Sequence, residues 1–204
     1  AYNSIGIELI LVIFMVLAGV NFNLYIYAWR KGLSAIFKDI EFKAYLSILL
    51  LSSAVVAFSL LLQSGYAMGA AIRYSVFQVV SIMTTTGFAS IDFDQWPGLA
   101  KMVLFLLMFI GGSAGSTAGG MKVARIVLLL KMAWAQIKQA SNPQLVVNIT
   151  FQGKLVDSKV LTDVGRFFFL FVLIFACASV LLAGTGLEPF DAMSAVACMI
   201  GNVP

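Results

Sequence analysis

Ten consecutive residues, Gly111, Gly112, Ser113, Ala114, Gly115, Ser116, Thr117, Ala118, Gly119 and Gly120, carry only the smallest side chains and lie between strongly apolar runs at 102–110 and 126–130. The flanks place this stretch at membrane depth. An unbroken helix over 98–130 would hold 33 residues and extend roughly 50 Å, against a hydrocarbon core about 30 Å thick. A span broken at the glycines fits better. Backbone that leaves helix geometry at that depth must be buried in protein or line a wet cavity, so the stretch is expected beside a pore or a binding site. Two readings compete. Gly111, Gly115 and Gly119 have the spacing that packs two membrane helices closely. The excess length, and the further Gly112 and Gly120 at about 1 kcal/mol each in a helix interior, favour the break. A phosphate-cradling loop fails, because Met121 and then Lys122 follow Gly120 where the motif requires Gly-Lys-Ser/Thr.

The chain is 61% hydrophobic and 11% charged, the composition of a multi-pass, all-α membrane protein. It opens almost directly on an apolar span and closes at Pro204. It is expected to be an internal piece of a longer polypeptide. Histidine is absent, which removes the commonest catalytic base and metal ligand. Cys177 and Cys198 lie in apolar surroundings and are expected to act as small packing residues. No enzyme activity and no organic cofactor are expected. The net charge of +4 is a matter of topology, and nucleic acid is not an expected partner.

Spans are expected at about 5–27, 44–62 and 167–183, with the broken span over 98–135. Two shorter apolar stretches, 74–83 and 192–200, cannot cross as helices. If both are re-entrant, Arg30, Lys31, Lys38, Lys43, Lys122, Arg125, Lys131, Lys138, Lys154, Lys159 and Arg166 fall on one side, and only Arg73 and Lys101 on the other. That asymmetry makes the basic side cytoplasmic. Full crossings would spoil it. Trp96 and Trp134 are expected at opposite membrane interfaces. In the polar segment, Val146, Ile149 and Val156 around Gly153 suggest a small hairpin over 144–157.

A shift of 117 residues lays 74–86 over 191–203, so each half reads as span, short re-entrant helix, extended turn, span. The first turn is Thr84-Thr85-Thr86-Gly87-Phe88. Threonine supplies carbonyl and hydroxyl oxygens, and glycine permits positive φ, so that successive carbonyls can replace the water shell of a monovalent cation. Gly87 is expected to be the one residue of this strand at positive φ. The acids all fall outside the spans, except Glu8 in a first helical turn, where the dipole tolerates it.

On the residues MTTTGFAS (83–90), FIGGSAGSTAGGMKVAR (109–125) and FDAMSAVACMIGNV (190–203), the chain resembles the TrkH/TrkG/KtrB family of potassium uptake proteins, in the superfamily with the plant HKT transporters. The resemblance covers essentially the whole chain. It implies four span–pore-loop–span repeats around one pore in the complete polypeptide. Residues 1–29 would be the last span of repeat two, 30–43 a cytoplasmic linker, 44–135 repeat three, 136–159 a second cytoplasmic linker, and 160–204 the start of repeat four. It implies K⁺ as the transported ion, bound by Thr85, Thr86, Gly87 and Phe88 of the third filter strand and by Asn202 and Val203 of the fourth. Residues 111–120 would be the gating loop beneath the filter. The family continues Gly-Pro-Gly after this valine. Here Pro204 follows Val203 directly, which departs from that pattern. The implied setting is the bacterial inner membrane, as a homodimer working with a cytoplasmic nucleotide-binding ring of the RCK type, TrkA-like. The competing reading is a Na⁺-coupled carrier with broken helices. An intramembrane enzyme would need a convergent acid pair or histidine, and neither is visible.

Overall fold

The computed structural model describes residues 4–142 and 147–203. Its elements are helices α1 (Ile5–Ala18), α2 (Phe22–Lys31), a 3-10 turn (Leu33–Lys38), α3 (Ile40–Gln63), α4 (Met68–Met83), α5 (Gly98–Met108), α6 (Val123–Ser141), a two-stranded hairpin of β1 (Thr150–Phe151) and β2 (Lys154–Leu155), then α7 (Ser158–Ala183) and α8 (Pro189–Gly201). Among the described residues, α3 and α7 are long and apolar enough to cross a membrane, and α1 with α2 would make a third if the pair is one span.

The single span expected over 5–27 needs correction. α1 and α2 meet at a bend of 87°. Gly19 permits the corner, since a β-carbon there would strike the Tyr45 hydroxyl and crowd Thr84. Asn21 starts the new helix by accepting from the Asn23 N–H at 2.9 Å, the usual service of an N-cap. The other expected spans grow at their ends. α3 begins at its cap Asp39, which accepts from Phe42 N at 2.8 Å. α7 begins at Asp157, which accepts from Lys159 N at 3.1 Å. α4 starts six residues ahead of the expected stretch 74–83. Its 16 residues still reach only about 24 Å, short of a crossing.

The core gathers Tyr45, Leu49, Val56 and Leu60 of α3, Phe77, Val79, Ile82 and Met83 of α4, Leu104 and Leu107 of α5, and Val123 of α6. α4 is buried on all sides over its last turns, as a helix inside a protein must be if it ends at membrane depth. In lipid, this burial is held by close packing rather than by water exclusion. A second centre joins α5 to α7 and α8 through Phe105, Phe109, Phe171, Phe175 and Phe190. The rest of α7 presents Phe169, Leu173, Ile174 and Leu181 outward.

The hairpin pairs Thr150 with Leu155 and Phe151 with Lys154. Its two turn residues, Gln152 and Gly153, both have positive φ, 51° and 77°, the condition for a type I′ turn. The first part of the expected 144–157 region, including Val146, lies outside the described residues. Trp96, expected at a membrane interface, is enclosed by protein. It is 3% exposed and belongs to the core with Phe93 against it. Cys177 also departs from the expected packing role, being exposed on α7.

Candidate functional site

The C-terminal ends of α4 and α8 close with the same turn. At α4, Thr85 N donates to Ile82 O at 3.0 Å and Thr86 N to Ser81 O at 2.9 Å. At α8, Asn202 N donates to Met199 O at 3.3 Å and Val203 N to Cys198 O at 2.9 Å. Each bond in one turn has its counterpart 117 residues on in the other. This is the paired bonding of a Schellman cap, whose left-handed residue is usually glycine. Here the position is held by Thr85 at φ 54° and Asn202 at φ 56°. Asparagine tolerates that conformation, whereas a β-branched residue does so only under strain. Gly87 is also at positive φ, 74°, so the expectation that it alone would be must be corrected. Strain of this kind costs of order 1–3 kcal/mol and persists where the surroundings enforce it.

The enforcing partner is the glycine-rich stretch. Residues 109–122 leave helix geometry, which excludes the continuous packing face that the GxxxG spacing allowed. The neck of the loop is closed by Gly111 N donating to Met121 O at 2.9 Å and Met121 N to Phe109 O at 3.0 Å. Gly119 N then donates to the Thr85 hydroxyl oxygen at 2.8 Å. A β-carbon on Gly119 would come within 2.5 Å of Gly201 O and 2.8 Å of Asn202 Cβ. The loop therefore lies against both helix ends, and glycine is what lets it approach.

The loop and the α1–α2 bend satisfy each other. Ser113 N donates to Gly19 O at 2.8 Å, Thr117 N to Ala18 O at 3.3 Å, and Phe22 N to Gly115 O at 3.2 Å. Tyr45 and Tyr25 hydroxyls cover Val16 O and Leu17 O at 3.2 and 2.6 Å. The carbonyls freed at the end of α1, which would be costly orphans at this depth, are thus all used.

Two acids that the sequence reading placed in harmless positions are structural. Glu41 was expected outside the spans. It lies in the first turn of α3, is 4% exposed, and its Oε1 accepts from Ala114 N at 2.5 Å and Ala124 N at 3.2 Å. Glu8 was expected to rest on its helix dipole. Instead it is buried, and Arg73 of α4 donates to it through Nε at 2.6 Å and Nη2 at 2.8 Å. Neither partner is near in sequence, so local patterning had no signal for either contact. The one hint was charge: Arg73 is isolated on the side with few basic residues.

The TrkH family, described as cation transport protein, matches residues 1–203. The chain belongs to the TrkH family. It is 35% identical over 203 residues to a Trk system potassium uptake protein TrkH of Halomonas elongata, covering 99% of this chain and 42% of the relative. It is 32% identical over 203 residues to TrkG of Escherichia coli, with the same coverage. The crystal structure of the potassium transporter TrkH from Vibrio parahaemolyticus superposes with a TM-score of 0.92 at 35% identity, over 99% of this chain and 44% of that one. The chain spans about two-fifths of the length of these relatives.

Within this member of the TrkH family, Thr85, Thr86 and Gly87 are half-buried at the end of α4, and Val203 is buried at the end of α8. Thr85 and Asn202 converge on Gly119. Phe88 is 50% exposed, and its carbonyl accepts from the Ser81 hydroxyl at 2.6 Å, turned back toward α4. The Val203 carbonyl likewise accepts from Cys198 Sγ at 2.6 Å. Thr86 shares its hydroxyl with that of Thr84 at 2.9 Å. Lys122, just past the loop, donates through Nζ to Ala118 O.

Proposed function

We propose that this protein supplies part of a K⁺ uptake pathway in the bacterial inner membrane, in which α4 and α8 are re-entrant pore helices. Thr85, Thr86, Gly87 and Phe88, with Asn202 and Val203, contribute to a carbonyl-lined filter. Both helices direct their negative dipole ends toward the cation. Residues 111–120 form the gate beneath that filter. The relatives are named potassium uptake proteins of the Trk system, and the transported ion is carried over from them. The observation that carries the gate is Gly119. Its N–H reaches Thr85 while its α-carbon sits against Gly201 and Asn202, so one flexible segment touches two strands of the filter. Small side chains let it approach the axis, and its glycines keep several backbone conformations close in energy.

The complete protein works as a homodimer with a cytoplasmic nucleotide-binding ring of the RCK type, drawn to a face rich in Lys38, Lys43, Lys138 and Lys154. A Na⁺-coupled carrier is less well supported. Carriers use intramembrane ionisable groups to bind their coupling ion. Here Glu8 is committed to Arg73 and Glu41 to two backbone N–H groups.

The test is to shorten the loop between Gly112 and Gly119 in the full-length protein. Rb⁺ flux per molecule at normal membrane abundance should rise about tenfold, equivalent to removing about 1.4 kcal/mol of barrier. Wild-type flux in the shortened protein would reject the gate.

A further inference from the structure

The loop is anchored to the α1–α2 bend and to Thr85 by groups that lie at its own depth. One anchor comes from elsewhere. Glu41 is the second residue of α3, three residues after the 3-10 turn, and its single oxygen Oε1 takes two backbone N–H groups, one within the glycine stretch and one beyond it. Ala114 lies inside the loop, and Ala124 is the second residue of α6. α6 has no side-chain cap of its own, so Glu41 caps it from another helix. A carboxylate accepting at a helix N-terminus makes one of the stronger classes of hydrogen bond. The same oxygen therefore fixes the start of α6 and one side of the loop.

The cytoplasmic hairpin grips the two elements that Glu41 joins. Gln152 Nε2 donates to Asp39 Oδ2 at 2.6 Å, two residues before Glu41. Lys131 Nζ of α6 donates to Thr150 O at 2.6 Å. Asp39 is also the cap of α3. A continuous set of contacts thus runs from Gln152 at the exposed tip of the hairpin, through Asp39 and the first turn of α3, to Glu41 and the loop.

We propose that Glu41 is the positioning residue that latches the glycine-rich loop under the filter, and that the hairpin sets the latch through Asp39. This rests on the reading of residues 111–120 as the gate. A cytoplasmic partner that displaced the hairpin would pull on the cap of α3 and loosen the loop without touching the pore. Force enters through an exposed polar contact and leaves through a buried one, so the hairpin can be moved without unfolding the helices.

The experiment is unstimulated Rb⁺ uptake by the full-length protein in proteoliposomes, normalised to the amount of folded protein, with the K⁺/Na⁺ ratio measured alongside. Glu41→Ala should raise uptake about tenfold. Glu41→Gln, which keeps an oxygen for Ala114 but loses the charge, should give an intermediate rise. Gln152→Ala should give about a twofold rise alone and no further rise on Glu41→Ala, the non-additivity expected of groups in one chain of contacts. Selectivity should not change in any of them. If Glu41→Ala fails to fold, Glu41→Gln and Gln152→Ala decide. Wild-type flux per molecule in the Glu41 variants, beside increased flux in the loop-shortened protein, would overturn the latch and leave the gate standing. Wild-type flux in both would remove the gate, and the latch with it. Fewer folded molecules with unchanged flux per molecule would make Glu41 a stability residue only and overturn the proposal.

Discussion

The ends of α4 and α8 have the same backbone and different surroundings. Both terminate in a left-handed residue with the same pair of capping bonds. At α4 that residue is Thr85, whose hydroxyl holds the loop. At α8 it is Asn202, exposed, whose β-carbon merely marks how closely Gly119 passes. α4 is also tied down at its other end by the half-buried Arg73–Glu8 pair, and nothing comparable holds α8 among the described residues. One turn is thus a strained anchor and the other a relaxed wall. Two helix ends can share a backbone shape without sharing what they are bonded to.

The largest disturbance of this comparison comes from Gly119→Ala. The new methyl would press on Gly201 O, a backbone atom that cannot rotate away. It should cost about 1–3 kcal/mol in overpacking, read as a lower thermal midpoint in detergent, and should sharply reduce K⁺ uptake. Unchanged stability would mean that the loop does not bear on α8.

A smaller effect should separate the two turns directly. Asn202→Gly removes a left-handed non-glycine residue and should be neutral or stabilising by up to about 1 kcal/mol. Thr85→Gly relieves more strain but leaves Gly119 N without its acceptor, at about 1–3 kcal/mol if it stays buried. The lost bond offsets the relieved strain, so Thr85→Gly should raise the thermal midpoint less than Asn202→Gly, or lower it. Equal shifts would show that the Thr85 hydroxyl contributes nothing to holding the loop.

The smallest expected effect is at the paired positions Ser81 and Cys198. Each side chain bonds a carbonyl of its own turn. Ser81→Ala should cost about 1 kcal/mol. Cys198→Ser exchanges a weak donor for a strong one and should be neutral or slightly stabilising. Denaturation of the purified protein would register the difference, and equal losses would break the equivalence.

Much of this was legible in the chain. The excess length across 98–130 and the crowd of glycines favoured a break over a continuous packing face, because helix geometry and bilayer thickness are both fixed. The 117-residue register rested on the order of apolar segments, and it aligns Thr85 with Asn202. Gln152-Gly153 read as a turn because its chemistry is local. The bend at Gly19 was hidden, since α1 and α2 together are apolar enough to pass for one span and the corner depends on Tyr45 from another helix. Glu41 was hidden for a related reason. It was expected outside the spans, where an acid needs no partner, so nothing in the sequence demands a contact 73 residues away. The interfacial preference of tryptophan gave no sign that Trp96 would be packed inside the protein against Phe93.

The exchange of hydrogen bonds between the α1–α2 bend and the glycine loop also bears on biogenesis. Ala18 O is covered by Thr117, synthesised 99 residues later. Until that loop is made, a bent α1–α2 segment would expose naked carbonyls to lipid at several kcal/mol each. The expectation is that the nascent segment enters the bilayer as a straight helix with its own bonds closed and folds at Gly19 when the later span takes them over; a peptide of residues 4–31 alone in vesicles should then show no bend.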